Sequence, residues 1–154
     1  MKKTKGFIAT VLLLILVFGT LSVGSVFAER VVTVTINGEV IEFDEPARLI
    51  DQRTMVPMRK IYETLGAEVQ WVGEIELIIA TFETNVISME IGQKSFGITD
   101  LLTGETKIIE LDVPPQVVGE GTTLVPVRAI SEALGKNVDW DDATSTVIIT
   151  DKNS

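Results

Sequence analysis

"TMVPMRKIYETLGAEVQW" at residues 54–71 returns, little changed, as "TLVPVRAISEALGKNVDW" at residues 123–140, with ten of 18 positions identical. In each copy a proline, Pro57 or Pro126, precedes an apolar stripe, and a glycine, Gly66 or Gly135, follows it. Proline suits the first helical turn, where a missing N–H costs nothing. Glycine suits the left-handed position just past a helix end. The stripes are Met58, Ile61, Tyr62 and Leu65 in the first copy and Val127, Ile130 and Leu134 in the second, spaced for one helix face. About eight residues are too few to be helical alone in water, so packing must hold each helix. Trp71 shares a strand face with Val69, and Trp140 with Val138. Each indole therefore reads as a lid over its helix, and truncating a buried one would cost about 3–5 kcal/mol.

Working outward, the match runs without a gap over residues 46–81 and 115–150. Upstream it continues at another offset. "VTVTINGEVIEF" holds Asn37-Gly38 between two alternating runs, a strong hairpin signal. That register pairs Ile36 with Glu39, Val34 with Ile41 and Val32 with Phe43. "VISMEIGQKSFGI" turns at Gly92-Gln93, pairing Met89 with Phe96 and Ile87 with Ile98. The second copy carries an insertion, Thr99 to Asp112, which reads as a turn near Thr103-Gly104 followed by a strand.

Each unit thus reads as hairpin, Pro-containing connector, short helix and two strands. The closing strands fall near 68–72 and 76–81, then 137–140 and 146–150. The expected class is α+β: a mainly antiparallel sheet curled around short helices, built from two internal repeats, 31–81 and 86–150. A single domain over 29–154 is expected, with two separate beads as the alternative.

Arg59 and Arg128 sit in the first helical turn, and Glu63 and Glu132 near the last. This opposes the helix dipole by a few tenths of a kcal/mol per charge. An Arg-to-Glu pair four residues apart compensates only in part. The recurrence suggests that each guanidinium bonds strand carbonyls or a connector carboxylate; a solvated ion pair is the alternative.

The chain opens with Lys2, Lys3 and Lys5, followed by an uncharged run over residues 6–28 with "VLLLILVF" at its centre. Small residues and "SVFA" follow, so residues 1–28 read as a secretory signal peptide, and the protein as secreted or held at the cell envelope. An uncleaved anchor is the competing reading, and it would be the only membrane contact. Removal of these residues leaves ten basic against 22 acidic residues, a charge of −12. Such a surface repels phosphate backbones, which argues against nucleic-acid partners. There is no cysteine and no histidine, so disulfides, thiolate ligands and the commonest general base are unavailable.

The string T-x-V-P-x-R-x-I-x-E-x-L-G…V-x-W, with "ING…F…P" before it and "DDATSTVIIT" after it, resembles the copper amine oxidase N-terminal-like domain, or stalk domain. The resemblance covers nearly all of residues 31–150. It implies a small α+β domain exported to the envelope, away from any active site, and it transfers no catalytic residue. Copper amine oxidase chemistry needs histidine ligands and a tyrosine-derived quinone. Here histidine is absent, and the only tyrosine, Tyr62, lies on the apolar helix stripe. The expectation is therefore no enzyme and no cofactor.

Asp139, Asp141 and Asp142 form the one weak calcium candidate, because hard cations want clustered oxygens. The first copy lacks them, and an acidic turn with Asp142 starting an Asx-type turn is the plainer reading. Pro57, Arg59, Leu65, Gly66 and Trp71, with Pro126, Arg128, Leu134, Gly135 and Trp140, are expected to be structural. The functional expectation is a non-catalytic stalk-type module that associates with an envelope protein or cell-wall polymer; the alternative is a glycan- or peptidoglycan-binding module. Sugar sites present exposed aromatics, so exposed Trp71 and Trp140 favour the second and buried ones the first. Any partner surface is sought first on the Thr99–Asp112 insertion.

Overall fold

A computed structural model describes residues 31–152. The signal-peptide reading at 1–28 lies outside the described residues. In chain order the strands are β1 (Thr33–Ile36), β2 (Glu39–Val40), β3 (Arg48–Ile50) and β4 (Arg53–Pro57), followed by helix α1 (Met58–Thr64). Next come β5 (Glu68–Val72), a 3₁₀ turn at Gly73–Ile75, β6 (Leu77–Phe82), β7 (Asn85–Glu90), β8 (Ser95–Asp100) and β9 (Thr106–Glu110). The chain closes with β10 (Gln116–Val118), β11 (Thr122–Pro126), α2 (Val127–Ala133), β12 (Lys136–Asp141) and β13 (Thr146–Asp151).

The strands form three sheets, ordered β12-β13-β1-β2, β10-β11-β4-β3 and β5-β6-β7-β8-β9. The fold is β-rich α+β with two short helices among the described residues, and every strand pair but one is antiparallel. In the middle sheet Val56 stands opposite Val125, its counterpart 69 residues on. Both strands run straight into their helices, so α1 and α2 leave from neighbouring strands. Their stripes meet in one core, where Ile61, Tyr62, Ile78, Ile87, Met89, Val125, Ile130 and Ile149 are fully buried.

Near their turns the hairpins have the expected register, with Ile36 opposing Glu39, Met89 opposing Phe96 and Ile87 opposing Ile98, and the Ile41 N–H donating to the Val34 carbonyl at 2.9 Å; β2 ends at Val40, short of the expected pairing of Val32 with Phe43. Gly66 (φ +90°) and Gly135 (φ +75°) end the helices, their N–H groups donating to the carbonyls of Glu63 and Glu132 at 3.0 Å. Leu65 and Leu134 cap the helices and are buried. The insertion forms a turn and then β9, which lengthens the third sheet.

Three features differ from the sequence reading. First, Pro57 and Pro126 end strands and stand one residue before the helices, opposite Leu124 and Met55. Second, the connector contains another hairpin. Asp51 (φ 47°) and Gln52 (φ 63°) turn β3 into β4 although neither is glycine. Third, the indoles are not lids: Trp71 is 40% exposed and Trp140 is 36% exposed. The expected strand face is correct, since Trp71 opposes buried Ile78 and Trp140 opposes buried Val147. Length explains the exposure. A seven-residue helix spans about 10 Å, while five strand residues span about 16 Å. The strand outruns its helix, and the indole is left at the rim.

The two ends of the described chain are joined by β1 and β13, the one parallel pair. Asp151 accepts from Lys136 Nζ at 2.6 Å and from Asn37 Nδ2 at 3.1 Å, and its own N–H donates to Asn37 Oδ1 at 3.2 Å. The Lys136 hydrogen bond, and then that of Asn37, holds the Asp151 carboxyl below its ordinary pKa. A depressed carboxyl contributes stability above the unfolded pKa and loses it as pH falls through the folded one. Asp151→Asn should therefore unfold at a lower denaturant midpoint at neutral pH. The gap from wild type should close below about pH 4, in an acid series of unfolding curves. A gap independent of pH would contradict the ionic part of this lock.

Candidate functional site

A concavity of about 640 Å³ lies beside α1. That is within the roughly 300–1,000 Å³ typical of ligand sites. Its floor is Pro57, Met58, Arg59, Lys60 and Glu63 from the β4–α1 junction. One wall is the segment after β2, with Glu42, Asp44 and Glu45. The other is the β10–β11 turn, with Val117 and Gly121 to Thr123. Trp71 closes one side. A Cβ on Gly73 would come within 3.2 Å of the indole Nε1, so this glycine lets the pyrrole edge lie down on the turn after β5.

The charges divide into tied and free. Glu45 pairs with Arg48, and Arg59 reaches Glu63 at 3.6 Å. Glu42, Asp44 and Lys60 enter no ion pair among the described residues. The cleft thus offers an aromatic face, two unengaged carboxylates, an ammonium and a half-exposed guanidinium. It can hold a polar ligand. No group of three or more His, Cys, Asp or Glu side chains able to hold a metal occurs among the described residues.

A second hollow of about 490 Å³ lies along α2, between Arg128 and Glu132 and the β9 residues Lys107 and Ile109. Here the arginine is committed. Arg128 Nη1 donates to the Val138 carbonyl at 2.7 Å while reaching Glu132 at 3.5 Å. The expected strand-carbonyl bond therefore forms at Arg128, whereas Arg59 keeps the solvated ion pair. Arg128→Met should lower stability by about 1–2 kcal/mol, because a charge-assisted bond to a strand carbonyl is lost. Arg59→Met should change it by less than about 0.5 kcal/mol, as for exposed helix pairs. Paired urea denaturations check this, and equal losses would contradict it.

The three aspartates do not converge. Asp139 projects from an exposed position on β12. Asp141 accepts from Thr144 Oγ1 at 2.7 Å and from the Ala143 N–H at 3.0 Å. The Thr144 bond, then the Ala143 bond, lowers its pKa. Asp142 accepts from Trp140 Nε1 at 3.4 Å. It is thus Asp141, not Asp142, that starts the Asx-type turn.

A family model described as the copper amine oxidase N-terminal domain matches residues 35–149. The chain belongs to that family. The copper amine oxidase N-terminal domain is a non-catalytic, stalk-like domain. The match spans both helices and both indoles, and so most of the described core. The sequence matched no curated protein.

The sequence reading placed Arg59 and Trp71 on one helix and its following strand, as the structure has them. It missed Glu42, Asp44 and Lys60, which no local pattern distinguishes from solvated charge. Their convergence depends on the β10–β11 turn, brought from some 75 residues away.

Proposed function

We propose that this is an exported, non-catalytic module that attaches to the cell envelope by binding a glycan polymer of the wall or surface. The observation that carries the reading is the exposure of both indoles. An indole is large and apolar, and leaving one in water forgoes the stabilisation of burial. Two such positions, 69 residues apart, suit ligand contact better than packing. Export is supported by the basic start and apolar run of residues 1–28. Duplication of an ancestral half is supported by the common 69-residue offset of β4, β6, β11, β13 and both helices.

Association with an envelope protein is the second reading, favoured by one observation. The hairpin built by the insertion exposes Leu101, Leu102 and Ile108, with Leu102 at 80%. Sedimentation of the exported protein with purified wall fragments, before and after protease treatment of those fragments, separates the two. Retention that survives protease supports glycan binding. Retention abolished by protease transfers the role to a protein partner, and no retention on either preparation removes the envelope reading.

A further inference from the structure

We infer that the cleft beside α1, with Trp71 as its platform, is the sugar site, and that it takes a neutral hexose polymer and rejects polyanionic ones. This rests on the glycan reading above and goes further by naming one indole of the two and the charge class of the ligand.

The asymmetry of the two helix flanks selects the site. Trp140 spends its indole N–H on Asp142 at 3.4 Å, and Arg128 spends a donor on the Val138 carbonyl at 2.7 Å. The position equivalent to Lys60 is Ala129. Around Trp71 the corresponding groups are unspent: Arg59 keeps only its 3.6 Å pair with Glu63, and Lys60 has no acidic partner among the described residues. A pyranose presents weakly positive C–H groups on one face and hydroxyls around its edge. The C–H face suits the negative face of an indole ring. The hydroxyl edge needs both acceptors and donors, here the carboxylates of Glu42 and Asp44 and the cations of Arg59 and Lys60.

The same groups set the charge class. With Glu45 tied to Arg48 and Glu63 to Arg59, the unpaired charges of the cleft are the carboxylates of Glu42 and Asp44 against the single ammonium of Lys60. Around it lies a chain whose residues 29–154 hold ten basic against 22 acidic residues, a charge of −12. A phosphate- or uronate-bearing polymer meets repulsion there, whereas a neutral sugar does not.

Native affinity electrophoresis of the exported protein tests this, in gels holding hydroxyethyl cellulose, glycol chitin or polygalacturonate. Retardation is expected in at least one neutral gel and not in polygalacturonate. Trp71→Ala should reduce that retardation at least tenfold, and Gly73→Ala should reduce it by displacing the indole. Trp140→Ala should leave it within twofold. The half-exposed position of Trp71 keeps its variant folded, and a circular dichroism melt verifies this. Loss with Trp140→Ala but not Trp71→Ala would overturn the site while leaving glycan binding intact. Retardation in polygalacturonate alone would overturn the ligand class. Absence of retardation in both neutral gels, with wall fragments still retained after protease, would overturn this inference without touching the reading it rests on.

Discussion

Ile61→Ala should destabilise the domain by about 2–5 kcal/mol, the range for emptying a closed aliphatic site. Ile61 is fully buried on α1 within the core that both helices share. The helix has seven residues and no side-chain cap at its N-terminus, so little beyond packing holds it. Removing three carbons there therefore loosens the helix as well as leaving a void. Trp140→Ala provides the contrast. The larger side chain is lost, yet it already stands 36% exposed and lies at a strand end. Its loss should cost less than that of Ile61, because about a third of the indole stays in water in the folded protein and solvent can enter the partly open site instead of leaving a closed void. Chemical denaturation of both variants decides the matter. A Trp140 loss equal to or above that of Ile61 would restore the indole to the core and weaken the case for a binding face.

Tyr62→Phe should stabilise the domain, by about 1–3 kcal/mol. Tyr62 is fully buried, and its hydroxyl has no hydrogen-bond partner among the described residues. Burial alone pushes the phenol pKa above its ordinary value, as expected for a group with nothing to bond its charged form. An unsatisfied buried hydroxyl keeps its desolvation penalty, and phenylalanine removes it without changing the ring. Ser131 holds the equivalent place on α2, also buried and unpartnered. Ser131→Ala should act in the same direction and by a smaller amount, since alanine also favours the helix. Thermal melts read both, and a fall in midpoint for Tyr62→Phe would mean that the hydroxyl has a partner.

These contrasts bear on how the domain works as a stalk-like body. The apolar groups that hold it are the helix stripes and the strand residues beneath them. The two indoles at its surface stay partly exposed. A binding face built on exposed side chains over a rigid core can vary without threatening the fold. The insertion illustrates this: it adds β9 at a sheet edge and disturbs none of the pairings inside.

Local chemistry determined much of this protein in advance. Asn37-Gly38 and Gly92-Gln93 set two hairpin registers, because only certain residues tolerate the turn and a slip of one residue would reverse every face. Gly66 and Gly135 set where the helices stop, and the 3.6-residue spacing chose the buried stripes. The turn at Asp51-Gln52 escaped, because strand pairing imposes positive φ there on residues that do not announce it. The parallel union of β1 with β13 also escaped, since no turn links strands more than 100 residues apart. The fate of the indoles belonged to tertiary structure alone. Sequence alternation says which face of a strand a side chain takes, but how much of that face the rest of the fold covers is settled only when the elements are packed, and there each tryptophan came to lie partly exposed.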